Sequence, residues 1–306
     1  MGGEKAKIVI GYILICLIWG STWIAIKIGL ETLTPMLAIG SRFLIASIVF
    51  YAIIKIKNIE LLTDSQSVKL YLFMSLFSYI IPVTLVYWAE QFIPSGLTSV
   101  IFAIFPFWVI IFSRFAFPNE KIGIYKFLGV VIGFIGIAVI FKDELSFDFG
   151  SSMLGIIAAV ISAIMQGGVA VVIKKYGEKI NPVSINFIPL IITGLVLIPA
   201  GFIFEDTTRL AYSNNALFSI LYLSTIGTVV AFTIYYWLLK KINIVILSLS
   251  SFITPIIAIL LGWFFLNEKL NSNHIIGTSL VLIGVLFANF KGLLNYYKEV
   301  TRTRNV

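Results

Sequence analysis

Apolar positions along the 306-residue chain do not alternate with polar ones; they run in long blocks separated by short polar connections. A helical block of about 20 apolar residues crosses a hydrocarbon core of about 30 Å. Ten such blocks can be marked, at about 8–28, 36–54, 70–89, 95–115, 123–141, 152–173, 183–203, 216–238, 244–265 and 275–291. None shows the period of two that a barrel strand requires. A backbone in lipid must bond to itself, so each block is predicted as a membrane-spanning helix. The connections are a few residues each, the longest polar stretches being 55–69 and 204–215. Consecutive helices are therefore predicted antiparallel, with no loop large enough to hold a soluble domain.

The pattern occurs twice. Tyr87-Trp88, Pro106, Asn119-Glu120-Lys121, Gly129 and Gly136 recur as Tyr236-Trp237, Pro255, Asn267-Glu268-Lys269, Gly277 and Gly284. The offset is 149 residues up to the proline and 148 from the Asn-Glu-Lys triplet onward. Self-similarity at half the chain length predicts duplication, with residues 1–145 and 146–306 each forming a five-helix repeat. An odd number of spans makes the second copy enter the membrane from the opposite side. The predicted fold is all-α and integral to the membrane: ten transmembrane helices as two inverted-topology repeats about a pseudo-two-fold axis in the membrane plane.

Composition sharpens this. The chain is 59% hydrophobic and 12% charged, where soluble domains average about half apolar and a quarter charged. Its net charge of +8 is then a matter of topology, and no nucleic-acid partner is inferred. With the amino terminus in the cytoplasm, seventeen of the 22 Lys and Arg residues fall on the inner side. Only Lys27, Lys142, Arg209 and Lys269 fall outside, and Arg42 lies within a span. That segregation places both termini in the cytoplasm and the protein in the cytoplasmic membrane. The basic start of the chain, with Lys5 and Lys7, imitates a secretion signal but lacks a small-residue cleavage site and is read as a retained span. A single cysteine, Cys16, excludes an intrachain disulfide, and a single histidine, His274, excludes a histidine–cysteine zinc site. No metal, cofactor or enzymatic constellation is inferred.

The first predicted span carries WGSTWIAIK at 19–27; Pro35 and Arg42 follow in a P-x6-R spacing, and Glu120–Gly129 and Glu268–Gly277 each form E-x8-G. In these features, across about 8–291, the chain resembles the EamA family of the drug/metabolite transporter superfamily. The resemblance implies a ten-helix carrier of small metabolites, amino acids and related compounds among them, without fixing the cargo.

Candidate substrate-binding residues follow from polar groups in apolar spans. Arg42 lies about six residues into its span, roughly 9 Å deep, where a charge faces a cavity or a partner. It reads as a clamp for a substrate carboxylate, or as a structural arginine bonding loop carbonyls or snorkeling outward. Trp19, Thr22 and Trp23 share one helical face; Trp19 and Thr22 suit a pocket for an amphipathic molecule, or helix packing. Tyr79, Val83 and Tyr87 form a stripe broken by Pro82, matched in the second half by Thr228, Phe232 and Tyr236. Gln166 either lines the cavity or bonds across helices, as does Asn186. Ser99 and Thr254 complete the candidate set, with Ser248 the repeat equivalent of Ser99. Trp88, Tyr235 and Trp237 read as interface-belt anchors.

Pro106 and Pro255 free carbonyls within the fourth and ninth spans, as hinges or as fixed bends. Glu120 and Glu268 are expected to cap the helix that follows each. Glu90, at the end of the third span, is the acid closest to the interior, and a proton relay through a span centre is not expected. Glycines 129, 133, 136, 277 and 284 predict close helix approach and leave room for a homodimer contact. The resulting expectation is a bilayer-embedded, alternating-access carrier of a small molecule, amino acids leading and outward in direction. The alternative is a carrier of phosphorylated metabolites or nucleotide sugars on the same plan.

Overall fold

In a computed structural model, residues 2–116, 124–141, 150–177, 179–208, 210–239, 241–242, 247, 250–269, 271–284, 286–287 and 290 are described. Among the described residues there is no strand. The helices are α1 (Gly2–Gly29), α2 (Pro35–Ile56), α3 (Ser65–Ala89), α4 (Ser95–Ala116), α5 (Ile124–Phe141), α6 (Ser151–Tyr176), α7 (Pro182–Phe204), α8 (Asn214–Ser224, continuing through Thr225–Val230 and Ala231–Leu239) and α9 (Ser250–Leu266), with a further helical stretch at 272–284. Seven of these are long and apolar enough to cross a membrane. In α5 and α9 the apolar stretches are shorter, at Phe127–Gly136 and Ile253–Leu266. The start of the predicted ninth span and the end of the tenth lie outside the described residues. Most helices outrun their apolar blocks, because a helix continues until a cap stops it, whatever the solvent.

Local chemistry starts and bends these helices in the same way in both halves. Asp64 accepts from the Gln66 and Ser67 amides at 3.1 Å to begin α3, and Ser213 accepts from the Ala216 amide at 3.2 Å to begin α8. Both helices then pass through six residues of π-helix, Ser75–Ile80 and Thr225–Val230. A π turn holds one extra residue, and such turns concentrate at functional positions.

Glycines set the helix pairs. A Cβ on Gly20 of α1 would lie 2.6 Å from Ile257 of α9, and one on Gly167 of α6 would lie 2.5 Å from Trp108 of α4. These are the same contact with the halves exchanged. A Cβ on Gly40 of α2 would lie 2.6 Å from Ile198 of α7, and one on Gly194 of α7 would lie 2.5 Å from Leu44 of α2. A Cβ on Gly136 of α5 would lie 2.7 Å from the Gly277 carbonyl, and one on Gly284 would lie 2.6 Å from the Gly129 carbonyl. The glycine stripe expected to leave room for a homodimer thus closes a contact within one chain. Large apolar side chains such as Trp263, Phe264 and Phe265 point outward, as lipid-facing surface does.

Loop contacts sort the connections into two ends. At one, the Met36 amide donates to Glu205 Oε1 (2.9 Å), the Ser95 and Gly96 amides donate to Glu268 (2.7 and 3.2 Å), and the Ala211 amide donates to the Thr32 carbonyl (3.1 Å). This is the capped end. At the other, Lys241 pairs with Glu4 at 2.9 Å. Glu268, expected to cap the helix after it, caps α4 of the other repeat instead. Asn267 has a φ of 52°, a left-handed conformation that asparagine tolerates, and this turns the chain back toward Ser95. Gly262 leaves the space that the Glu268 carboxylate occupies. The helix at 272–284 is capped instead by Asn271, whose Oδ1 accepts from the His274 amide at 2.7 Å. Glu120 lies outside the described residues.

Gly136→Ala is expected to lower the melting temperature in detergent, at a cost of about 1–3 kcal/mol, because the new methyl meets backbone that cannot yield. Gly168→Ala, whose Cβ would sit 3.6 Å from the Phe112 ring, is expected to change stability by no more than about 0.5 kcal/mol.

Candidate functional site

Arg42 sits on α2 inside the bundle, half-buried. Its Nε donates to the Thr228 hydroxyl at 3.1 Å and its Nη1 to the Tyr87 hydroxyl at 3.2 Å. Tyr87 comes from α3, and Thr228 from the π segment of α8, so one guanidinium ties the two repeats together. Thr228 also donates to the Leu223 carbonyl five residues back, at 2.8 Å. That is the π register, so the widened turn aims this hydroxyl at Arg42. Neither partner is anionic. A guanidinium with five donors bonded to two neutral hydroxyls retains donors for a carboxylate.

Around this center the expected stripe is built from both halves. Tyr79, buried, donates to Asn186 Oδ1 of α7 at 2.7 Å and meets Phe43 edge-on at 5.4 Å. Trp19 of α1 packs against Phe232 at 6.1 Å and Tyr235 at 5.3 Å between ring centroids. The Thr22 methyl lies at 3.0 Å from where a Cβ on Gly227 would be, while its hydroxyl donates to the Trp19 carbonyl at 2.7 Å. Trp19, Thr22 and Arg42 therefore converge on the π segment of α8 and the turn after it, Tyr87 joins them through Arg42, and Tyr79 sits against α7 and Phe43 instead. Of the aromatic residues read as belt anchors, Tyr235 packs on Trp19 in a tilted pair and Trp237 packs on Gly11 of α1.

The remaining candidates are placed elsewhere or outside. Pro82 cannot donate to the Ser78 carbonyl, and Gln166 Nε2 of α6 supplies that bond at 2.8 Å. Ser78 Oγ donates back to Gln166 Oε1 at 3.3 Å. Gln166 is thus held as a bridge between α3 and α6. Ser99 donates to its own helix, to the Gly96 carbonyl at 2.6 Å. Thr254, half-buried, presents its carbonyl to Gly20 of α1. Pro106 coincides with a break, α4 running as Ser95–Phe102 and then Phe105–Ala116 with a turn between. Pro255 lies within the continuous α9. The side chains of Tyr236 and Pro106, and all of Ser248, lie outside the described residues.

Two features were missed by reading the sequence. Thr228 entered only as a repeat mate of Tyr79, and its π-helical setting is what makes it a partner of Arg42. Glu90 was placed at a span end, yet it is fully buried. The only sequence signal for the first was the polar residue at the aligned position.

Comparison with known proteins bears on the whole chain. The model of the EamA-like transporter family matches residues 6–142 and again 153–290. The chain is similar to an uncharacterized transporter of Bacillus subtilis (strain 168), YoaV, at 29% identity over 93% of this chain and 97% of the relative. It is 27% identical to protein PagO of Salmonella typhimurium, over 92% of each. An inner membrane transporter of Escherichia coli K12, YedA, also uncharacterized, matches at 25% over 88% of this chain and 86% of its own. A solved crystal structure superimposes with a TM-score of 0.66 over 93% of this chain and 96% of the other, at 17% identity, a likeness of fold.

Tyr87→Phe and Thr228→Val share one guanidinium, so their effects on thermal stability are expected to be non-additive by at least about 0.5 kcal/mol in a double-mutant cycle. Additive costs would show that the two bonds do not act through Arg42.

Proposed function

From the premise that this chain belongs to the EamA-like transporter family, and is a multi-pass membrane transporter, we propose that it carries small carboxylate-bearing metabolites, amino acids foremost. It does so across the cytoplasmic membrane by alternating access, with export the direction to test first. One observation carries this reading. The Arg42 guanidinium lies inside the bundle on two neutral hydroxyls, one from each repeat, with the Phe43 ring 5.2 Å from it.

The chemistry follows from replacement. A carboxylate makes charge-assisted bonds to a guanidinium that are roughly twice as strong as those from neutral hydroxyls. A substrate that displaces Tyr87 and Thr228 satisfies Arg42 better and unties the link between the halves. Binding energy is thereby connected to rearrangement, as alternating access requires. Trp19, Phe232 and Tyr235 offer an apolar wall to the rest of the molecule.

We read the architecture as ten spans in two inverted repeats, with both termini cytoplasmic. The exchanged glycine contacts support it: α1 meets α9 as α6 meets α4, and α2 meets α7 through reciprocal glycines. The segregation of basic residues supports the orientation. A phosphorylated cargo is the weaker reading, because Lys27, the second cation it would need, is bonded to the Glu90 and Ile93 carbonyls.

A thermal-shift screen in detergent tests the cargo class. A ligand at 100-fold over its Kd is expected to stabilize by about 2.7 kcal/mol. Amino acids should stabilize the wild type, their amides should not, and Arg42→Ala should respond to neither while remaining folded. Stabilization by sugar phosphates alone would overturn the carboxylate reading, as would an Arg42→Ala variant that still transports amino acids in proteoliposomes.

A further inference from the structure

At the capped end, Glu90 follows the last residue of α3 and is completely buried. Neither of its carboxyl oxygens has a hydrogen-bond partner. The Ser95 hydroxyl, at the start of α4, is likewise buried and without a partner. The nearest cation, Lys27 at the end of α1, donates to the Glu90 and Ile93 backbone carbonyls and not to the Glu90 carboxylate. Glu268, from the loop after α9, directs its own oxygens to the Ser95 and Gly96 amides. Lys27 and Glu268 are the charged groups that act on Glu90, and Tyr87 lies one turn back on α3.

A carboxylate buried with no donor is disfavored in its charged form and takes up a proton instead. Burial pushes the Glu90 carboxyl well above the usual carboxylate range; Lys27 opposes the shift and Glu268 adds to it. Opened to water, the same carboxyl would ionize at neutral pH.

The repeat supplies a second argument. Lys27 has a counterpart 147 residues on, Lys174, but the position 149 residues after Glu90 is Leu239. An otherwise duplicated molecule thus carries a buried acid at one end and an apolar residue at the other. Tyr87 and Glu90 lie three residues apart on one helical face. The acid therefore stands one turn from a hydroxyl that holds Arg42.

We propose that Glu90 is a proton-binding site, occupied when the capped end of the bundle is closed and vacated when that end opens to water. On closing, a proton from solvent at that end bonds to a carboxylate oxygen; on opening, it returns. The proton becomes a co-substrate of the conformational cycle at one face only. Its meaning for transport rests on the carrier reading above, but the site itself does not.

The sign is fixed by the raised value in the closed form. Closure is favored most at pH below the ordinary carboxylate range, and the preference declines as pH rises above that range. It is lost as pH rises through the closed-state value.

The test uses the full-length chain in lipid nanodiscs without any cargo. Infrared spectroscopy should show a protonated carboxyl band at neutral pH in the wild type that Glu90→Gln lacks. Hydrogen exchange in residues 90–96 should show, beyond its intrinsic base catalysis, a step of added exposure as that band disappears with rising pH. Glu90→Gln, permanently neutral, should remain protected throughout. Lys27→Gln, which removes the opposing charge, should move the wild-type step at least tenfold lower in proton concentration, and it serves as the test if Glu90→Gln does not fold. An ionized Glu90 at neutral pH would overturn the proposal, and so would an exchange step that persists in Glu90→Gln or a Lys27→Gln step that does not move. None of these measurements involves a cargo, so a wrong carboxylate assignment would leave them unchanged.

Discussion

Everything in this fold depends on a single constraint: polar backbone released by a helix end or a helix irregularity must find a partner inside the protein, because lipid offers none. The partners come from distant parts of the chain. Glu205, after α7, takes the Met36 amide of α2; Glu268, after α9, takes the first two amides of α4. The carbonyl that Pro82 leaves free on α3 is taken by Gln166 on α6. Lys27 covers the carbonyls of the loop between α3 and α4. Most of these contacts join one repeat to the other. The interlock of the halves is thus a consequence of satisfying the backbone, with glycine-mediated packing closing the gaps between them.

Against this shared plan, two residues stand out by lacking a counterpart. Arg42 aligns with Pro189 when each half is counted from its own proline, Pro35 and Pro182, and Glu90 aligns with Leu239. A duplicated scaffold can alternate between two similar states, but an exact duplicate has no means to tell one face from the other. An interior cation bonded to Tyr87 and a buried acid one helical turn from Tyr87, neither matched at its aligned position, break that equivalence. The asymmetry is therefore where chemistry would be expected to act, and the symmetric parts are where the molecule moves or holds.

The π segments connect the two themes. Each inserts an extra residue at the same place in α3 and α8, so it belongs to the shared scaffold. In α8, however, the widened turn presents Thr228 to Arg42, and in α3 it precedes the proline that recruits Gln166. One structural device serves a cation in one half and a helix bridge in the other.

What the sequence determined by itself was what depends on lipid as a solvent: helical structure, the duplicated organization, and the outlying character of Arg42. These follow because hydropathy, the positions of glycine and proline, and the cost of an interior charge are local properties of a segment. Tertiary structure alone decided the partners. Glu268 was legible as a cap, but the helix it caps lies across the repeat boundary. Gln166 was legible as polar and interior, but the proline-freed carbonyl it bonds belongs to another helix. Glu90 looked like a residue at a span end, and only the closure of Lys27, Ser95 and Glu268 around it removed it from water. Burial and pairing are set by which faces converge in space, and residues 63 or 173 positions apart carry no local record of that convergence.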